Sequence, residues 1–147
     1  MSACSWDIRQ PLSSFKILPE QRPLSFLELQ ETAISPSPHR ICLVHPFLPW
    51  YIIVEAGPGE VITVAHLLQS LQTELARPIF HSDFWNDDVD EENRKVIHAA
   101  WEERCRGNVV IAQEGIKRID FLGDRCIFEG LKRDGNEWEL KMKSWRT

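Results

Sequence analysis

Residues 117–142 read KRIDFLGDRCIFEGLKRDGNEWELKM, and our prediction of the sheet starts from this stretch. Three runs in it, 117–122, 125–131 and 137–142, are rich in apolar or alternating side chains. Gly123-Asp124 and Asp134-Gly135 lie between them, and these dipeptides are typical of tight turns. We therefore predict a C-terminal three-stranded antiparallel meander.

The register of this meander follows from which loop joins its last two strands. A two-residue turn at Asp134-Gly135 would set Phe128 opposite Lys141 and mix the two faces. A three-residue loop over 134–136, with a bulge, sets Phe128 opposite Met142 and Gly130 opposite Leu140. We prefer that loop because it collects the apolar side chains on one face: Ile119, Phe121, Cys126, Phe128, Trp138, Leu140 and Met142.

Upstream of the meander, two segments have the pattern of helices. Residues 63–76 begin with Thr63, a good N-cap, and repeat apolar residues on one face around Leu71. Residues 90–104 place acids at the start and Arg104 at the end, which suits the helix dipole. Residues 79–89 are predicted to be a loop, and 107–116 remain unassigned.

Residues 40–44 and 50–54 are predicted strands, and 45–50, HPFLPW, lie between them. Proline cannot donate to a strand ladder, so HPFLPW is a bulge, an edge or a corner. In sum we predict an α+β domain, a mostly antiparallel sheet with two helices packed on one face. Residues 1–21 are an extended N-terminal arm, and 22–147 form the single α+β domain.

The composition limits the classes of function. The chain has 147 residues, 43% of them hydrophobic, and a formal net charge of -5, which argues against binding to duplex nucleic acid. There is no secretory leader pattern and no apolar run long enough to span a bilayer. We expect a soluble, cytoplasmic protein, with the nucleus left open, that does not bind membranes.

The four cysteines are far apart in the sequence, which predicts free thiols without a metal or disulfide role. We expect no cofactor. His39, Cys42 and His45 resemble a metal cluster, but on a strand Cys42 would point away from the two histidines. No common nucleotide-binding, hydrolase or zinc-protease motif is present.

Two polar residues are candidates for chemistry. His45 either ties down a corner, its ring hydrogen-bonded to a backbone carbonyl, or serves as a general base or ligand contact. Asp120 is either a solvated acid or, if its face is covered, the partner of Arg104, Arg118 or a histidine.

The chain holds six tryptophans. Trp50, Trp101 and Trp138 fall on predicted core positions. Trp6, Trp85 and Trp145 lie on the arm, the loop and the C-terminal tail. They either form a partner surface or attach the termini to the domain.

Several of these residues also form a combination of motifs. They are Trp6-Asp7 with Pro11, His45-Pro46-x-x-Pro49-Trp50, Ile62-Thr63-Val64, Trp101 with Arg104-Cys105, Lys117-Arg118-x-Asp120-Phe121-Leu122, and Phe128-x-Gly130-Leu131 with Trp138. The combination resembles a domain family of unknown function that is widespread in mushroom-forming (basidiomycete) fungi, and it covers residues 6–142. The resemblance implies a fungal, intracellular setting and no mechanism.

We therefore expect a non-catalytic protein-interaction module, whose partner is another protein. Trp6, Asp7, Trp85 and Trp145 are candidates for its contact surface. The alternative is a small-molecule binder or enzyme, which requires one cleft lined by these residues: His45, Trp50, Arg104, Arg118 and Asp120. The oligomeric state is open.

Overall fold

A computed structural model describes residues 3–146, which fold around one six-stranded sheet. The strands are β1 (Cys4–Asp7), β2 (Lys16–Ile17), β3 (Arg40–Val44), β4 (Ile52–Glu55), β5 (Ile127–Asp134) and β6 (Glu137–Lys143). Their order is β2-β1-β5-β6-β3-β4, and every pair is antiparallel except β3 with β6. The predicted α+β class with a mostly antiparallel sheet is confirmed.

Within residues 3–146, five α-helices accompany the sheet. They are α1 (Phe26–Gln30), α2 (Val64–Leu75), α3 (His81–Phe84), α4 (Glu91–Cys105) and α5 (Val109–Gln113). The predictions for α2 and α4 are confirmed, with Thr63 and Asp90 as N-caps whose side chains accept from His66 N and Asn93 N. α3 lies in the predicted loop 79–89, and α5 in the unassigned 107–116. No helix within residues 3–146 has the length and apolarity needed to cross a bilayer.

The first predicted strand of the meander is wrong, because residues Arg118–Leu122 form a 3-10 helix. Lys117 N donates to Asp120 Oδ2, and Gly123 N donates to the Asp120 carbonyl. Gly123 ends the 3-10 helix with a φ of 63°. Ile119, Asp120, Phe121 and Leu122 are all buried, which a two-sided strand with one solvated face would not allow. The position next to β5 belongs instead to β1.

The predicted pairing of Phe128 with Met142 is confirmed, but the loop is not as predicted. Asp134 pairs with Glu137, so the turn has two residues, Gly135-Asn136. The extra residue lies within β5, where the register shifts between Phe128 and Gly130. Gly130 consequently faces Lys141 rather than Leu140. Leu131 opposes Leu140, so the shift keeps apolar side chains on the core face.

The segment predicted as an extended arm adds β1 and β2 to the sheet, so the sheet crosses the predicted boundary between residues 21 and 22. Trp6 pairs with Phe128 and is 1% exposed. Its ring contacts the rings of Phe15 and Phe128, and its Nε1 donates to the carbonyls of Gln10 and Pro11. Trp6 is therefore part of the core, which fits the alternative in which it attaches the N-terminal segment to the domain.

Candidate functional site

The HPFLPW segment is a turn between β3 and β4. Leu48 N donates to the His45 carbonyl at 3.0 Å, and the Leu48 side chain is buried. The sequence suggested a hydrogen bond from the His45 ring to a backbone carbonyl. Instead, His45 Nδ1 accepts a hydrogen bond from Phe47 N at 3.1 Å. Burial lowers the pKa of His45, which favours the neutral ring that this bond needs. His45 therefore holds the turn from within.

Trp50 follows this turn and packs against the 3-10 helix. Its ring meets Phe121 edge-on with centroids 4.7 Å apart, and the Arg118 guanidinium lies 4.8 Å from its centroid. Arg118 also pairs with Glu74 of α2 at 3.3 Å. This network connects the turn to α2 through a cation–π contact and an ion pair.

Asp120 and Arg104 form a bidentate ion pair. Arg104 Nε donates to Asp120 Oδ1 at 2.9 Å and Nη2 donates to Oδ2 at 2.8 Å. The Asp120 side chain is 2% exposed and that of Arg104 is 12% exposed. The hydrogen bonds to Asp120 raise the pKa of Arg104. The acid therefore has a structural partner, and Arg104 is one of those the sequence suggested.

Asp7 and Trp145 are held near Arg9. Arg9 donates to both carboxylate oxygens of Asp7, at 3.0 and 2.8 Å. Burial alone would raise the pKa of Asp7, but the hydrogen bonds from Arg9 outweigh it and lower that pKa. The guanidinium groups of Arg9 and Arg146 lie 5.9 and 4.4 Å from the Trp145 ring centroid, and the Trp145 backbone N donates to the Asp124 carbonyl. Trp145 thus fits the alternative in which it attaches the tail.

The five residues of the alternative cleft include two contacting pairs, Arg104 with Asp120 and Trp50 with Arg118, but they do not line one groove together. Asp120 lines a groove of about 460 Å³, Arg104 lines a second of about 670 Å³, and His45 lies in a third of about 400 Å³. Trp50 and Arg118 contact each other and line none of these three. None of these three grooves is therefore lined by all five residues.

Two of the four cysteines, Cys4 and Cys126, are buried thiols of low reactivity. All four are free thiols, and burial raises the pKa of Cys4 and of Cys126 to about 11, which keeps these two thiols protonated. In the part of the chain that the structure covers, no three His, Cys, Asp or Glu side chains are grouped as a metal site would require.

The most exposed aromatic cluster lies on and beside α3. Phe80 is 76% exposed and Trp85 is 57% exposed, although Phe84 between them packs against the core. The Arg94 guanidinium lies 4.7 Å from the Trp85 centroid, and His81 stacks on the same indole at 6.2 Å. The ring is thus fixed by its neighbours while much of it faces solvent. We call Phe80, Trp85 and the acidic residues of 83–92 the α3 surface.

The sequence identified Trp85 as a candidate but missed Phe80. In the structure, Phe80 is the N-cap residue of α3, and its backbone N donates to Asp83 Oδ2 at 2.7 Å. An aspartate three residues after a possible cap position is a known mark of a helix start. The spacing between Phe80 and Asp83 would have placed Phe80 before the helix and Phe84 within it.

The molecule is thus a small α+β fold in which Asp120, Arg104 and His45 make internal contacts, while Phe80 and Trp85 are exposed beside α3. The chain belongs to a family of unknown function, DUF6699, whose model matches residues 4–138. No curated protein and no solved structure matches the chain significantly.

Proposed function

We propose that this chain is a non-catalytic protein-interaction module that works inside a fungal cell, in the cytoplasm or the nucleus. The observation that carries the proposal is the α3 surface, where Phe80 and Trp85 are exposed at the two ends of the short helix α3. Aromatic side chains, Phe and Trp included, are enriched in protein interfaces, and Trp is enriched among the residues that contribute most to binding. Phe84 and Arg94 hold this surface in place before any partner arrives.

The polar candidates support the same function. His45, Asp120 and Arg118 hold the HPFLPW turn, the 3-10 helix and α2 together. A catalytic group needs to reach substrate, whereas the Asp120 carboxylate is 2% exposed and already accepts three hydrogen bonds. The enzyme alternative therefore has no observation in its favour.

The experiment is a pull-down with the tagged chain from a lysate of its source, with native mass spectrometry of the eluate. Three proteins are compared: wild type, Phe80→Ala/Trp85→Ala and the control Phe26→Ala/Leu27→Ala. The control removes an equally exposed apolar pair, 74% and 76% exposed, from α1.

We expect wild type and the α1 control to retain a stoichiometric protein and the α3 variant to lose it. Equal retention by all three proteins would contradict the α3 surface as the interface. A small molecule retained on the lone wild-type chain, with no protein, would contradict the proposed function and favour the ligand-binding alternative.

A further inference from the structure

The α3 surface carries a concentration of uncompensated negative charge beside its aromatic side chains. Residues 83–92 contain six carboxylates and no basic residue. Asp83 and Asp90 cap helices. The other four are exposed and form no ion pair with any residue in 3–146: Asp87, Asp88, Glu91 and Glu92.

Elsewhere the chain neutralises many of its acids internally. Asp7 pairs with Arg9, Glu28 with Arg22, and Asp120 with Arg104. Four uncompensated like charges within six residues repel one another, and a cationic partner would relieve that repulsion. The charge of this surface therefore specifies the sign of what it would bind.

The aromatic part of the surface already holds a cation of this chain. The Arg94 guanidinium stacks on Trp85, and its Nη1 donates to the Val89 carbonyl. Arg94 is on α4, so this contact also places the acidic start of α4 beside the indole. The contact shows that the surface accommodates a guanidinium group, while Phe80 and the rest of Trp85 remain open to an apolar side chain.

We propose that the α3 surface binds a cationic peptide segment of a partner protein, in which arginine or lysine alternates with apolar side chains. The basic side chains would meet the four carboxylates, and the apolar ones would pack on Phe80 and Trp85. This inference rests on the proposed function and adds the chemistry of the partner to it. Nucleic acid does not fit, because its phosphates carry the same sign of charge as the surface.

The test uses the full chain and a short fluorescein-labelled peptide in which arginine alternates with leucine, read by fluorescence anisotropy. A second peptide has glutamate in place of each arginine. The acidic variant is Asp87→Asn/Asp88→Asn/Glu91→Gln/Glu92→Gln. Its matched control is Glu20→Gln/Glu31→Gln/Glu60→Gln/Asp134→Asn, which removes the same number of exposed carboxylates and so gives the same net charge.

We expect wild type to bind the arginine peptide and not the glutamate peptide. The acidic variant should weaken binding roughly tenfold, since each exposed charge pair contributes only a fraction of that effect. The matched control should weaken it less than about twofold, as long-range attraction is screened by salt. Phe80→Ala/Trp85→Ala should weaken it as well, because the leucine side chains of the peptide would lose the rings on which they pack. Unchanged binding by this variant would mean that charge alone holds the peptide.

No binding by wild type, or equal weakening by the acidic variant and its control, would overturn the proposal, since only net charge would then matter. Should the acidic variant fold poorly by circular dichroism, Asp87→Asn/Asp88→Asn replaces it, because these residues lie outside any helix. Repeating the pull-down with the acidic variant as a fourth protein separates the two proposals. If the cellular partner depends on Phe80 and Trp85 but not on the four carboxylates, the interaction module stands and the cationic partner is wrong.

Discussion

Asp120 shows at the residue scale how burial changes the meaning of a polar side chain. In the sequence, an aspartate between apolar neighbours could be a solvated acid, a catalytic group or half of an ion pair. The carboxylate accepts two hydrogen bonds from Arg104 and one from Lys117 N, and these hold the 3-10 helix against α4. A buried pair of this kind contributes little net stability, but the loss of one partner leaves an uncompensated charge.

We therefore expect Asp120→Asn to lower the free energy of unfolding by about 3 kcal/mol, because Arg104 would remain buried without its counter-charge. Glu55→Gln is the control, since Glu55 and Arg40 form an ion pair with both side chains 61% exposed, and it should cost less than about 0.5 kcal/mol. Urea denaturation measures both. Equal, small losses would show that the buried pair is not structurally important.

His45 gives a pH-dependent prediction. Because burial lowers its pKa from 6.5 in the folded chain, the unfolded chain binds the proton more readily. The stability that His45 contributes should be complete above pH 6.5 and lost as the pH falls from there through the lower folded-state pKa. His45→Ala should lower the melting temperature at neutral pH, because Phe47 N loses its acceptor.

His45→Asn is the matched variant, since its side-chain oxygen can accept from the amide two residues on without titrating. Its melting temperature at neutral pH should stay near that of wild type, with a smaller decrease on acidification. Melting curves from about pH 8 to about pH 5 test this. If His45→Ala melts like wild type but abolishes binding, the turn is a site and the structural role is wrong.

At the scale of elements, the sequence predicted what depends on local periodicity and missed what depends on neighbours. The repeat of buried residues around Leu71 and the cap at Thr63 predicted α2 correctly, because both signals lie within the helix. The 3-10 helix was mistaken for a strand because alternation over five residues cannot show that both sides are covered. The extra residue of the β5 bulge was likewise predicted to lie in the loop, since either position keeps the apolar side chains on one face.

The packing of α2 gives a prediction of its own. Leu71 is 0% exposed, so Leu71→Ala should cost about 2–5 kcal/mol in the free energy of unfolding. Thr73→Ala, on an exposed position of the same helix, should stay within about 0.5 kcal/mol. Denaturant titration of the two variants provides the comparison. A loss below about 1 kcal/mol for Leu71→Ala would mean that α2 is not anchored in the core.

At the scale of the whole molecule, the sheet order could not be predicted from the sequence. β1 pairs with β5 across most of the chain, and β3 lies parallel to β6. Such long-range pairings leave no local periodicity. The candidate site had the same limit: Trp85 and Trp6 look alike in the sequence, but β1 buries Trp6 between Phe15 and Phe128.

This difference predicts opposite outcomes for two identical substitutions. Trp6→Ala should cost about 3–5 kcal/mol in the free energy of unfolding, because the side chain is 1% exposed and connects β1 to the core. Trp85→Ala should lower the free energy of unfolding by less than about 1 kcal/mol, because it removes only a partly exposed cation–π contact with Arg94. Thermal unfolding of both variants is the measurement. Similar losses would contradict the assignment of one to the core and the other to the surface.

The proposed function places the bound partner on the α3 surface. The decisive measurement is hydrogen–deuterium exchange of the chain alone and in complex with the captured partner. We predict slower exchange over residues 80–92 in the complex, with no change in α1, whose apolar residues are equally exposed. Slower exchange in α1 or elsewhere, with residues 80–92 unchanged, would contradict the claim.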